Sequence, residues 1–235
     1  MNISMQRIRA IFIKDYKDFS RNMAVSIMVF LPLIMAALYE KLGKASIDAH
    51  FMSINLTFVL VATYVQCCLI AEEKEKNTLR TLMLSPAKTI EILLGKGLLS
   101  FFLTIIIAFF CAFLSEYQPT EVTIIAIAIL LSTVFYISVG TLLGLFSKSI
   151  VEASVIVFPA MGLFSFGPLA VNFVETYPVL SLFEWLPSSQ LIELAKLTEG
   201  SHTLGDIFIP LIVITVWIII TSILTAWVFQ KQKTD

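Results

Sequence analysis

The residues whose types and spacing can do chemistry are concentrated in Glu72–Lys96, which reads EEKEKNTLRTLMLSPAKTIEILLGK. Glu73, Lys74, Glu75 and Lys76 alternate in sign, a pattern suited to ion pairing and partner recognition. Asn77 can end a helix in the left-handed conformation, a role it shares with Gly. Thr78 can then cap a short helix whose Leu79, Leu82 and Met83 share one face. Ser85 and Pro86 are expected to stop that helix and open the next, Ser as the cap and Pro at the first helical position. A short amphipathic helix held between two turns has the shape of an element that docks into a groove on a partner protein. The competing reading is a charged loop that only anchors topology.

Other chemistry finds little support. A phosphate loop needs G-x-x-x-x-G-K-[ST]; the nearest string, Leu94-Gly95-Lys96-Gly97, lacks the upstream Gly and the Ser/Thr. Cys67, Cys68 and Cys111 fall inside apolar runs and read as small packing residues, so no disulfide framework, metal site or catalytic residue is expected. A route through the membrane would have to be lined by neutral polar and aromatic groups. Asn55, Val59, Ala62 and Gln66 follow helical spacing, with Thr63 and Tyr64 beside them, and Tyr136 lies among Ser132, Thr133, Ser138 and Thr141. Asn55, Tyr64, Gln66 and Tyr136 are the candidate pathway residues; the alternative is that they bond neighbouring helices together. Gly140 and Gly144 read as a close-packing site between helices. Pro159, Gly162, Ser165, Gly167 and Pro168 give a broken-helix composition.

These residues must be positioned by elements immersed in lipid. Of 235 residues, 58% are hydrophobic and 14% charged, against roughly 45–50% and about 25% in soluble domains. Mean hydropathy is +0.91. A soluble enzyme or nucleic-acid binder is excluded on this ground. Six apolar runs approach or exceed the ~20 residues needed to cross a bilayer as a helix. They are Met23–Tyr39, Phe51–Ala71, Gly97–Ser115, Val122–Phe146, Ala153–Val174 and Ile207–Phe229, and every Asp, Glu, Lys, Arg and His lies outside them. The expected fold is an all-α membrane protein: an interfacial amphipathic helix over Met1–Asn22, a six-helix domain over 23–229, and a short tail over 230–235. The segments outside lipid are too short for a separate catalytic domain. With the N-terminus in the cytoplasm, thirteen Lys and Arg fall on the cytoplasmic side and three outside. The positive-inside bias therefore places both termini in the cytoplasm. Intramembrane charge is what ion-coupled carriers and proton relays use; without it, uphill transport would draw energy from another chain.

The run Glu73–Pro86, followed by Ile90–Lys96, resembles the signature loop of ABC-2 type transporter permeases. That family commonly shows an acidic-basic-acidic start, Gly-Thr, leucines, Ser-Pro, and a Gly-Lys entering the third span. Asn77 stands here in place of the Gly and keeps the left-handed turn. The resemblance extends to the whole plan, including an outer segment between spans five and six where Gln190–Leu197 places Leu191, Leu194 and Ala195 on one face. It implies a multi-pass protein of the cell membrane and a dimer with a second or related permease. It also implies cytoplasmic ABC ATPase subunits that carry ATP and Mg, since this chain would bind no cofactor itself. Glu73, Glu75, Thr78, Leu79, Leu82, Met83, Ser85 and Pro86 would couple the permease to those ATPases. The function implied is export of an amphipathic substrate such as a drug, peptide or lipid-linked molecule, with membrane lipids the only other partner. A self-contained channel and a membrane scaffold that docks a cytoplasmic partner are the rival readings.

Overall fold

The computed structural model describes residues 4–43, 46–200 and 204–234. Lys44, part of the segment 175–206 (residues 201–203) and Asp235 lie outside the described residues. All regular structure among them is helical. After α1 (Met5–Arg21) come six helices long and apolar enough to cross a membrane: α2 (Met23–Lys41), α3 (Ile47–Glu75), α5 (Thr89–Leu114), α6 (Val122–Phe146), α7 (Ile150–Val171) and α9 (Leu204–Thr234). Two shorter helices join them, α4 (Thr78–Leu84) between α3 and α5, and α8 (Pro187–Glu199) between α7 and α9. The proximal end of the bundle carries α1 and α4; the distal end carries α8.

Several of the long helices outrun the apolar stretches that announce them. α5 starts at Thr89 and not at Gly97, α3 runs from Ile47 to Glu75, and α9 continues to Thr234. The long helices therefore carry charged residues beyond the apolar runs: Glu73, Glu91 and Lys96 are helical and buried. A helix continues past its lipid-compatible part wherever the charged side chains beyond it find partners, and these do.

α3 is the axis of the bundle. In its apolar stretch 89% of residues are buried, against 22–33% in the other five long helices. α6 lies against it through the two glycines. A Cβ on Gly140 would stand 2.5 Å from the Thr63 carbonyl oxygen, and one on Gly144 would stand 2.8 Å from that of Cys67. The contact is closed by Thr63 Oγ1 donating to the Tyr136 carbonyl at 3.0 Å and by Gln66 Nε2 donating to Thr141 Oγ1 at 2.9 Å. Gly140→Ala is therefore expected to force the two helices apart and to lower the melting temperature of the purified protein, at a cost of about 1–3 kcal/mol for overpacking. Gly162→Ala, at a position with nothing within 4 Å, should leave it unchanged. Equal behaviour of the two variants would remove the packing role.

α7 is the irregular span. Pro159 follows a break after Ile156, a π-helical stretch covers Gly162–Phe166, and Pro168 sits in the first turn of the last segment. α8 folds back into the distal end, with Leu191, Leu194 and Ala195 fully buried against the core formed with α3, α6 and α9. The expected one-sided face is present, and protein covers it.

Candidate functional site

Asn77 adopts φ 55 and ψ 21, the left-handed turn that separates α3 from α4. The left-handed residue itself ends one helix and precedes the next, so Thr78 is already helical and does not cap. Its hydroxyl turns back and donates to the Glu73 carboxylate and carbonyl. Ser85 and Pro86 also depart from expectation. The Ser85 hydroxyl donates to the Leu82 carbonyl at 2.7 Å and accepts from Ala87 N at 3.3 Å, closing a turn. The next helix begins at Thr89, because Glu91 does the capping: its carboxylate accepts from Lys88 N at 2.9 Å and from Ser4 N at 2.7 Å.

The apolar face of α4 is turned into the chain itself. Leu79 and Met83 are buried with Ile11, Ile70, Ile92, Leu145 and Phe229, and Leu82 packs at the edge of that cluster. What α4 presents outward is Asn77, Arg80, Thr81 and Leu84, one stripe at helical spacing, with Leu84 70% exposed. Glu75 is used within the chain, accepting from Ile150 N at 3.0 Å.

Glu73 does not face outward either; it belongs to a buried ion cluster that sequence reasoning missed. Lys96, 1% exposed, donates to Asp15 Oδ1 at 2.6 Å and to Glu73 Oε1 at 2.5 Å. Lys14 adds a further bond to Glu73. A second node lies one turn away along α5, where Arg7 donates to Glu91 at 3.2 Å and to the Pro86 carbonyl at 2.8 Å. Together the nodes strap α1 across the ends of α3 and α5 and suspend α4 from Glu73 through Thr78. Burial pushes the Asp15 carboxyl up to about 6; Lys96 opposes that shift and Glu73 adds to it. The carboxylates of Asp15, Asp18 and Glu73 converge within 4.8 Å. Lys96, Lys14 and Lys76 already pair with them, so the group is an ion-pair network. The available signal was Asp15 itself, a charge at helical spacing from Ile8 and Ile11 on the apolar face of α1.

The pathway candidates sit inside the chain in this conformation. Gln66 accepts from Ser100 Oγ at 2.7 Å besides bonding Thr141, and the Tyr64 hydroxyl lies 3.4 Å from Ser154 Oγ. Both join helices, the alternative weighed for them. Asn55 and Tyr136 differ: both are buried, yet Asn55 Oδ1 and the Tyr136 hydroxyl make no hydrogen bond. Tyr136 stacks on Phe58 with ring centroids 5.1 Å apart.

A family model described as ABC-2 family transporter protein matches residues 16–227, from the middle of α1 to near the end of α9. The comparison with curated proteins gave no match. The matched stretch takes in the six long helices, the last of them almost to its end, the left-handed break at Asn77, the short helix after it and Glu73 and Lys96 of the ion cluster, and on that match the chain belongs to the ABC-2 transporter family of membrane permeases.

Proposed function

We propose that this chain is the permease subunit of an ATP-driven exporter in the cell membrane. It would pair with a second or related permease and with cytoplasmic ATPase subunits that hold ATP and Mg, and move an amphipathic substrate outward. The observation that carries the coupling role is the outward stripe of α4, Arg80, Thr81 and Leu84, on a helix braced from behind by its own bundle. An ATPase that closes on ATP and engages this stripe would displace α4. The inward face of α4 is packed against α5, α6 and α9, and Thr78 ties it to Glu73 at the end of α3. Movement would therefore pass to α3, which Gly140 and Gly144 hold against α6. A rigid shift of this kind follows only if the partner binds the two arrangements with different affinity.

The reading requires α1 and α4 in the cytoplasm, consistent with the bias of Lys and Arg. In a cysteine-free background, a single Cys at Gln118 should react with a membrane-impermeant thiol reagent on intact cells, and one at Arg80 only after permeabilisation. The reverse pattern would put α4 out of reach of any cytoplasmic ATPase and end the proposal.

A further inference from the structure

Two cavities meet at the distal end of the bundle, and Tyr117 belongs to both. The first is a polar pocket of about 420 Å³ lined by His50 near the start of α3, by Glu116, Tyr117, Gln118 and Thr120 between α5 and α6, and by Glu199 at the end of α8. The second is an apolar crevice of about 520 Å³ between α5 and α6, walled by Phe109, Phe113, Ile125, Ile129 and Leu130 and reaching Tyr117. Phe109 and Phe113 are 67% and 71% exposed, so the crevice opens sideways, where the bundle meets lipid. Each volume falls within the ~300–1,000 Å³ usual for ligand sites.

The two cavities suit different chemistry. The crevice is walled by hydrocarbon and aromatic side chains, whereas the pocket carries the carboxylates of Glu116 and Glu199. Neither carboxylate pairs with a Lys or Arg among the described residues. Lys196, one turn before Glu199, is engaged with Asp48 at 2.8 Å. The segments at this end lean the same way, since 40–50, 116–121 and 175–206 together hold nine Asp and Glu against three Lys and no Arg. A field of that sign gathers cations. Tyr117 adds a hydroxyl that is buried and has no hydrogen-bond partner. Burial, with the Glu199 charge adding to it, pushes that phenol up to about 12, so it stays neutral and keeps its oxygen lone pairs for an N–H donor. The Tyr117 ring lies 5.2 Å from that of His50 and 5.4 Å from that of Phe51, contacts that hold it between the two cavities.

We propose that the paired cavities bind a single-tailed amphiphile with a protonated amine head, the ammonium against Glu116, Glu199 and the Tyr117 hydroxyl and the tail in the crevice between α5 and α6. This deepens the export reading by naming the charge of the substrate. Calling the ligand a substrate rests on that reading; the site itself does not.

The test uses the full chain in phosphatidylcholine nanodiscs and a dodecylamine carrying a photoreactive diazirine at its chain end, protonated at neutral pH as a lysine amine is. Illumination should label the crevice walls at Phe109, Phe113 or Ile129 saturably, and unmodified dodecylamine should compete. Dodecanol, dodecyl sulfate and methylammonium at equal concentration should not. Glu116→Gln with Glu199→Gln alters two exposed side chains and should weaken competition by dodecylamine about tenfold, the worth of two exposed ion pairs. Raised salt should narrow the gap between that variant and the wild type. Ala126→Phe, at an exposed position that lines the crevice, should block labelling and leave the melting temperature unchanged. Equal competition by dodecanol, full competition by methylammonium, or unchanged affinity in the Gln pair would overturn the proposal. Loss of labelling when phosphatidylethanolamine replaces phosphatidylcholine would also overturn it, by giving the cavities to a membrane lipid. Labelling as expected without stimulation of a partner ATPase by dodecylamine would leave the site standing and count against export; stimulation without labelling would do the reverse.

Discussion

Lys96→Met is expected to be among the most damaging single substitutions in the chain. It leaves Asp15 and Glu73 buried and facing each other across the space of the lost ammonium, with only the half-exposed Lys14 for compensation. Removing one partner from a buried ion pair typically costs about 3–5 kcal/mol, because the remaining charge stays desolvated. The protein should reach the membrane at a reduced level and lose its cooperative melting transition in detergent. Asp15→Asn should be milder, since Lys96 keeps Glu73 as a partner and burial already opposes the Asp15 charge. The sign of the pH dependence follows. In the fold Asp15 binds its proton more tightly than in the unfolded chain, so its contribution to stability is full below about 4 and is lost as pH rises to about 6 and beyond. The difference in melting temperature between wild type and Asp15→Asn should change across that window and stay level above it. A flat difference throughout, or a Lys96→Met protein as stable as wild type, would remove the cluster from the account.

The second large effect is expected at the face of α4 that looks away from the bundle. Arg80→Glu with Leu84→Ser alters two exposed side chains, so insertion and melting should remain normal, while recovery of the partner ATPase should collapse. Central interface residues are worth about 1–2 kcal/mol each or more, so the pair corresponds to a loss of roughly thirtyfold to a thousandfold in affinity. Leu79→Ser with Met83→Ser should show the opposite profile, because these side chains are buried with Ile70, Leu145 and Phe229. That variant should be deficient in folding before any question of docking arises. Membrane level, melting and co-purification, measured for both variants, separate the two faces. If the Arg80/Leu84 variant keeps full partner binding and the Leu79/Met83 variant loses it without loss of stability, the faces are assigned the wrong way round.

The contrast between these two faces marks how far the residues alone could be read. Periodicity tells which side chains share a side of a helix and not what covers that side. Leu79 and Met83 were grouped correctly, but their cover is the chain's own α9 and α6. The same holds in part for α1, whose Ile8 and Ile11 are buried, Ile11 so close to α5 that a Cβ on Gly95 would stand 2.9 Å from it, while Ile13 and Tyr16 stay exposed. The six long helices were legible because some twenty consecutive apolar residues have few other uses. Asn77 was legible because few residues tolerate the left-handed conformation. The ion cluster was not, since Lys96 stands where the apolar run begins and its partner Asp15 is 81 positions away. No local pattern links residues at that separation. Asn55 and Tyr136 were half legible: both stood out as polar groups in apolar helices, but nothing in the sequence brought the Asn55 amide to the Ser188 carbonyl at the start of α8.

The central claim is that this permease responds to a separate ATPase through the outward stripe of α4. The most direct measurement is ATP hydrolysis in proteoliposomes that contain the co-purified complex, compared with proteoliposomes containing this chain alone. The chain alone should hydrolyse nothing. The complex should hydrolyse ATP at a rate that rises when an amphipathic substrate is added, and Arg80→Glu with Leu84→Ser should lose that rise even when the ATPase is supplied in excess. Hydrolysis by the isolated chain, or full stimulation in the double variant, would contradict the account.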